Sequence, residues 1–420
     1  MDLRRRLILL AACLAFGVVA LGAYVRLSDA GLGCPDWPGC YGHLVGVPDE
    51  GHEQAVAVKA FPGKPVEAAK AWKEMVHRYF AGTLGLLILA ICALSWRKAV
   101  RAERSPVLPT ALLVIVTFQA LLGMWTVTLL LKPMVVTSHL LGGMTTLALL
   151  VALALGEQRQ PAPPLPVGIK PLALLALLAV IAQIALGGWV SSNYAALACP
   201  DFPTCHGAWL PPADFANAFT LHRELGQTAS GALLSLEALT AIHWSHRVGA
   251  LVVTGVVGLL SFRLFSTPGW TAWSKGLLGL LALQLGLGTA NVLLSLPLPL
   301  AVAHNLGAAA LLTATLALNL RLAGAPYRAR DARAVPLAGF ARRELGAHAD
   351  SGPPGSQVPG CHMAFITSPA CVRRVRRTLS PAPDEPPAIQ PPPLPPNRNT
   401  LACARPANRW AANSTGPSGY

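Results

Sequence analysis

Eight long apolar segments constrain the fold of this chain more than any other feature. A helix needs roughly 20 mostly apolar residues to cross the hydrocarbon core of a bilayer. Backbone polar groups must satisfy one another there, which favours helices. The predicted spanning segments are residues 7–25, 77–96, 108–131, 134–155, 169–190, 247–265, 273–296 and 299–322. The sequence therefore predicts an all-α integral membrane protein.

Charge distribution predicts the orientation of these helices. Only 12% of the 420 residues are charged, against about 25% in an average soluble domain. The net charge of +14 would suit nucleic acid, but its basic residues flank the predicted helices on one side, as at Arg4–Arg6 and Arg97–Arg104. Basic residues near helix ends stay cytoplasmic. We therefore predict that the protein contacts membrane lipid and does not bind nucleic acid. We also predict a plasma-membrane location, with both termini in the cytoplasm and with external loops at 26–76 and 191–245.

An internal repeat divides the chain into two halves. Residues 21–41 and 186–206 align at an offset of 165, including two cysteines, two prolines and an aspartate in each copy. Four helices per half is an even number, so the halves share one topology and an axis along the membrane normal. We predict two tandem four-helix bundles, at 1–160 and 161–324. Residues 325–420 are rich in Pro, Arg, Ala and Ser and are predicted to be a disordered cytoplasmic tail.

Four histidines occupy corresponding positions of the repeat, each predicted at the outer end of an even-numbered helix. They are His77, His139, His246 and His304. Ionisable residues within spanning helices are usually functional, although an interhelical hydrogen bond is the simpler alternative. Two histidines on neighbouring helices suit bis-imidazole ligation of a haem iron, whereas zinc and copper usually recruit further ligands. The pattern predicts one porphyrin site in each half.

The halves differ beside the first histidine. Glu74 precedes His77 by three residues, and its counterpart in the second half is His243. A carboxylate beside only one porphyrin favours the first half as the reactive one; the alternative is a helix N-terminal carboxylate favoured by the macrodipole. Arg78 and Arg247 follow their histidines and could bind haem propionates or anchor the helices at the interface.

Two pairs of cysteines lie in the predicted external loops, where an oxidising compartment favours disulfides. The pairs are Cys34 with Cys40 and Cys199 with Cys205. Prolines within each loop favour a turn that brings the two cysteines together. Both pairs are predicted to form disulfides that hold their loops.

These motifs resemble those of haem A synthases. The resemblance rests on EMVHR at 74–78, TSHLLGG at 137–143, HR at 246–247, AHNLG at 303–307 and the loop GAYVRLSDAGLGCPDWPGC at 22–40, and it extends over residues 5–322. It implies oxidation of the C8 methyl group of haem O to a formyl group, with water as the oxygen source, for cytochrome oxidase biogenesis.

The resemblance also implies a division of roles. His77 and His139 would flank the substrate haem O in the first half, and His246 and His304 would ligate haem b in the second. Glu74 matches the catalytic glutamate of the family. A haem O synthase is the partner that the resemblance suggests, and the Cys34–Cys40 disulfide is either structural or redox-active.

Other classes of protein explain part of this pattern. A bis-haem electron carrier of the cytochrome b kind would share the histidine pairs but gives no role to Glu74. A repeat-built transporter explains the symmetry alone, and a thiol–disulfide enzyme explains the cysteines alone. The electron acceptor, the oligomeric state and the role of His243 stay open on sequence.

Overall fold

A computed structural model describes residues 3–156 and 166–323 and is helical throughout its long elements. The predicted disordered tail at 325–420 lies outside the described residues. Within these ranges eight helices are long and apolar enough to cross a membrane, as predicted. We number them α1 (Leu3–Leu27), α2 (Ala68–Ser95), α3 (Val107–Thr128), α4 (Pro133–Gly156), α5 (Ile169–Ser192), α6 (Leu236–Phe265), α7 (Thr271–Leu293) and α8 (Leu298–Leu322). The chain is therefore a multi-pass membrane protein.

Helices α2 and α6 begin about ten residues earlier than hydropathy predicted. Their first turns contain charged residues that hide them from an apolar window, but they are rich in Ala, Leu, Glu and Lys, which favour helix. Ser235 also caps α6, where its hydroxyl accepts a hydrogen bond from the Ala238 N–H at 3.2 Å. His77 and His246 consequently lie more than two turns inside their helices rather than at the ends.

Helix contacts follow the repeat. In the first half (α1–α4), α1 packs on α2 and α4, and α3 packs on the same two helices. In the second half (α5–α8), α5 packs on α6 and α8, and α7 does likewise. Helices α1 and α4 of the first half meet α8 and α5 of the second. This arrangement is consistent with two tandem four-helix bundles, while the boundaries 1–160 and 161–324 stay predictions.

Small residues allow the helices to approach closely. Ala11 and Ala15 of α1 and Ala173 and Ala176 of α5 are almost completely buried within one continuous apolar core. Lipid tails are as apolar as leucine side chains, so close packing rather than hydrophobic burial holds spanning helices together. The core thereby fixes the relative positions of the helices that carry the histidines.

Residues related by the repeat contact each other where the halves meet. The Arg26 Nη2 donates a hydrogen bond to the Ser191 carbonyl at 2.8 Å, and the Tyr194 hydroxyl donates to Asp29 Oδ1 at 2.9 Å. Both pairs are separated by 165 residues, the offset of the repeat. Counterparts related by a two-fold axis can touch only near that axis, so the ends of α1 and α5 lie close to it.

The predicted cysteine pairs are joined in the structure, Cys34 to Cys40 and Cys199 to Cys205. Each disulfide closes a loop ending in a tight turn, at Tyr41-Gly42 and at His206-Gly207, with both residues of each turn at positive φ. Turns of this kind need glycine or another tolerant residue. We call the end of the molecule that carries these loops the loop end.

An aspartate fixes each turn. The Asp36 carboxylate accepts hydrogen bonds from the backbone N–H groups of Tyr41 and Gly42 at 2.6 and 2.8 Å. In the second loop, Asp201 accepts from His206, Gly207 and the Thr204 hydroxyl. The hydrogen bonds from Thr204 and Gly207 hold the pKa of Asp201 below its usual range.

Candidate functional site

A cavity of about 960 Å³ lies within the first half, at the upper end of the range for ligand sites. Its walls include three residues that the sequence singled out, Glu74, His77 and His139. The second half contributes Ser191 and Asn305 to the same wall. The cavity therefore brings the predicted first-half site residues together in a space suited to a large apolar ligand.

Each of the four histidine rings lies against a glycine of the neighbouring helix. A β-carbon built on the glycine would stand 3.0–3.2 Å from the ring Cε1 atom, closer than side chains normally pack. The pairs are Gly22 with His77, Gly123 with His139, Gly187 with His246 and Gly288 with His304. Glycine thus makes the room that each imidazole occupies, and the repeat places all four rings equivalently.

Glutamines hold three of the histidine backbones. Each donates from Nε2 to the histidine carbonyl, Gln119 to His139 at 2.5 Å, Gln183 to His246 at 2.9 Å and Gln284 to His304 at 3.0 Å. At the position equivalent to Gln183, the first half has Val18, which lines the cavity. The side chain that contacts the His246 ring in the second half is therefore replaced by an apolar wall in the first.

The ring nitrogens suit ligation of an iron. Among the described residues, the buried Nδ1 atoms of His77, His139 and His304 have no hydrogen-bond partner. Nδ1 of His246 lies 3.1 Å from the amide nitrogen of Gln183. A neutral imidazole keeps one nitrogen with a free lone pair that can bind a metal. His77 and His139 line one cavity, and His246 and His304 are close enough to interact electrostatically.

A pair of histidines is a sufficient set of protein ligands for a haem iron. Within residues 3–156 and 166–323, no group of three or more His, Cys, Asp or Glu side chains is placed to hold a metal ion. A porphyrin supplies four equatorial nitrogens and needs only axial ligands from the protein. The residues present therefore fit haem in both halves.

Glu74 is buried and bonded on both carboxylate oxygens. Oε2 accepts a hydrogen bond from the Cys34 backbone N–H at 3.0 Å, and Oε1 accepts from Arg78 Nη2 at 2.6 Å. Glu74 is the seventh residue of α2, beyond the first turn in which the macrodipole acts. The macrodipole therefore does not explain why a carboxylate stands at this position.

Arg78 and Arg247 hold the disulfide loops. Arg78 donates to the backbone carbonyls of Asp36, Pro38 and Gly39, the first two at 3.0 and 3.3 Å. Arg247 donates to the carbonyls of Thr204 at 2.7 Å and Cys199 at 2.8 Å. In this structure both arginines bind loop backbone.

His243 takes the structural place of Glu74 in the second half. Its Nδ1 lies 3.3 Å from the Cys199 N–H and its Nε2 lies 3.3 Å from Arg247 Nε. A neutral imidazole has only one acceptor nitrogen, so it can serve only one of these donors, whereas a carboxylate serves both. His243 is buried and tied to the loop, which excludes a surface role.

The first disulfide loop covers the cavity. Trp37 and Pro38, which lie between Cys34 and Cys40, line the cavity beside Glu74. Glu74 and Arg78 therefore hold the loop by hydrogen bonds to its backbone, and the disulfide closes the loop. The loop end of the cavity is built by the cysteine pair that the sequence identified.

Some site residues escaped sequence reasoning. The glycines at 22, 123, 187 and 288 match between the halves at an offset of 165, which was a readable signal. Gln183 is not repeated in the first half, where Val18 stands at the equivalent position, so the repeat gave no signal for it. Arg26 lines the cavity from the last turn of α1, and Asn305 reaches it because the second half contacts the first.

Comparisons with known proteins show the family of this chain. A family described as cytochrome oxidase assembly protein matches residues 5–316. A haem A synthase of Shewanella oneidensis is 45% identical over 306 residues, which cover 72% of this chain and 91% of that protein. Haem A synthases of Halalkalibacterium halodurans and Methylobacterium radiotolerans are 28% and 27% identical, over 55% and 78% of this chain and 72% and 92% of their own lengths. The chain belongs to the cytochrome oxidase assembly family that contains these haem A synthases.

Proposed function

We propose that this protein is a haem A synthase, a membrane oxidoreductase that converts the C8 methyl group of haem O to a formyl group for cytochrome oxidase. The observation that carries the proposal is the first-half cavity, which is lined by His77, His139 and the buried Glu74. The family to which the chain belongs and the volume of this cavity support the same substrate.

The reaction sets what the residues must do. A methyl group becomes a formyl group by losing four electrons and four protons in all and by taking its oxygen from one water molecule. His77 and His139 would hold the substrate iron from two helices, which fixes the plane of the porphyrin. Glu74 precedes His77 by one helical turn and would stabilise positive charge that develops at the reacting carbon or accept a proton there.

His246 and His304 would hold haem b in the second half. Haem b supplies one-electron oxidation and reduction when it is bound. Gln183 and Gln284 fix the helix backbone at both histidines. Asn305, the residue after His304, lines the substrate cavity, so the two sites are separated by little more than one helix.

The disulfide loops would lie outside the plasma membrane, with both termini in the cytoplasm. The basic residues at the opposite ends of the helices support this orientation. The substrate haem O must come from a haem O synthase, which makes that enzyme the expected neighbour in the pathway.

Haem extraction tests the proposal. Membranes that contain the protein and a source of haem O are extracted, and the haems are separated by chromatography. We expect haem A with this chain and with the control His52→Ala, a histidine whose side chain is 77% exposed. Haem b without haem A would favour a cytochrome b-like carrier instead.

A further inference from the structure

Arg26 is a cation in the cavity wall that the proposed reaction has not yet used. It lies in the last turn of α1 and lines the first-half cavity. It follows Gly22, the residue against the His77 ring, by four residues, or about 6 Å along the helix toward the loop end. Its charge therefore stands one turn beyond the predicted iron ligand.

The contacts of Arg26 leave its charge without a counterion. Nη2 donates to the Ser191 carbonyl at 2.8 Å, and the guanidinium carbon lies 4.0 Å from the centroid of the Tyr194 ring. Nε is buried and, within the part of the chain described, has no hydrogen-bond partner. No carboxylate of the described ranges forms an ion pair with it. A partly buried guanidinium in this state is costly unless an anion joins it.

The other arginine in the cavity wall is already engaged. Arg78 is bonded to Glu74 and to the disulfide loop. The counterpart of Arg26 in the second half is Ser191, which carries no charge. A free cation is therefore a property of the first-half site and not of the repeat.

We propose that Arg26 binds a propionate carboxylate of the porphyrin substrate and thereby selects which methyl group is presented for oxidation. This inference rests on the proposed function. The C8 methyl group and one propionate are attached to the same pyrrole ring, so holding that carboxylate at the loop end fixes the position of the neighbouring methyl. Histidine ligation alone leaves the macrocycle free to rotate about the axis through the iron.

Two probes test the assignment by binding rather than activity. Ferric protoporphyrin IX and its dimethyl ester are titrated into the purified protein, and the Soret band is followed. The component that disappears in His77→Ala reports the first-half site. Because the ester lacks both carboxylates, we expect the wild type to bind the free acid about tenfold or more tightly than the ester.

The variants separate charge from structure. Arg26→Gln is expected to lose the preference for the free acid, and Arg26→Lys to keep part of it, since lysine offers a point charge without the bidentate fork. The matched control Lys132→Gln removes a charge that pairs with Glu224 at 2.8 Å outside the cavity wall and should behave as the wild type. A purely structural role of Arg26 would weaken both probes equally.

Three results overturn the inference. Equal wild-type affinities of the His77-dependent component for acid and ester would do so without any Arg26 variant, even if Arg26→Gln failed to fold. A retained preference in a folded Arg26→Gln protein, with its second-half haem intact, would do so while leaving the proposed function in place. Absence of any His77-dependent component would instead remove the substrate site, and the proposed function would fail with it.

Discussion

The two halves share a plan of construction and differ in the chemistry of a few buried side chains. Both have a disulfide loop tied to an even-numbered helix, and both place two histidine rings against glycines. The differences are Glu74 against His243, Val18 against Gln183 and Arg26 against Ser191. The first half gains a carboxylate, an apolar wall and a cation, whereas the second gains amide and imidazole groups around its histidines.

This comparison separates scaffold from chemistry. Because His243 ties its loop as Glu74 does, part of what Glu74 touches is scaffold. What His243 lacks is the carboxylate itself, which in Glu74 lines the cavity and is therefore the group available for reaction. Gln183 contacts the His246 ring and backbone, whereas Val18 lines the first-half cavity. Under the proposed function, Gln183 would help to hold haem b, and Val18 would leave room for the substrate.

The strongest test of the comparison removes one histidine from each half in separate variants. His77→Ala should abolish haem A formation and keep haem b, because the ligands of haem b lie in the second half. His304→Ala should lose haem b from the Soret spectrum. Haem extraction and spectra of the purified variants measure both, with His52→Ala as control. Loss of haem b in His77→Ala alone would show that the roles of the halves are reversed.

Copying the second half into the first gives the next largest effect. Glu74→His should keep the tie to the Cys34 N–H, as His243 does for Cys199, but should lower haem A formation by about 100-fold or more, because the carboxylate is gone. The measurement is haem A per protein, with bound haem b and the Cys34–Cys40 disulfide as checks of folding. Normal haem A from this variant would remove Glu74 from the mechanism.

Adding one methyl group beside a histidine should have an intermediate effect. Gly187→Ala places a β-carbon 3.0 Å from the His246 ring, and overpacking of this kind costs about 1–3 kcal/mol. We expect weaker retention of haem b, measured by its release to apomyoglobin. Gly17→Ala, where a β-carbon meets nothing within 4 Å, is the matched control. Equal haem loss from both variants would refute the glycine–histidine contact.

Copying the first half into the second should have the smallest effect. In His243→Glu, a carboxylate can accept from both the Cys199 N–H and Arg247, so we expect stabilisation by about 1 kcal/mol. Thermal unfolding monitored by bound haem b would detect it. The variant should not gain haem A formation at the second site. A large loss of stability would contradict the view that His243 is an imperfect substitute for a carboxylate.

Much of the fold was readable because the membrane leaves few alternatives. The eight helices and the cysteine pairs follow from hydropathy and spacing, and the structure confirms them. The repeat was also read from the sequence, and the helix contacts are consistent with it. The early starts of α2 and α6 did not follow, since their charged first turns lie beyond the apolar run. The role of His243 could not be read either, because it depends on a backbone N–H 44 residues away.

The contact of Arg26 with Ser191 has a further consequence, for how a duplicated protein can evolve. In a two-fold homodimer, every residue at the axis meets its own copy. An arginine there would face a second arginine, and their repulsion would count against it. Joining both copies in one gene removes that constraint, since each copy of the position can then mutate alone. A fused chain can therefore place a single charged residue at the axis, whereas a symmetric homodimer must place two copies of it there.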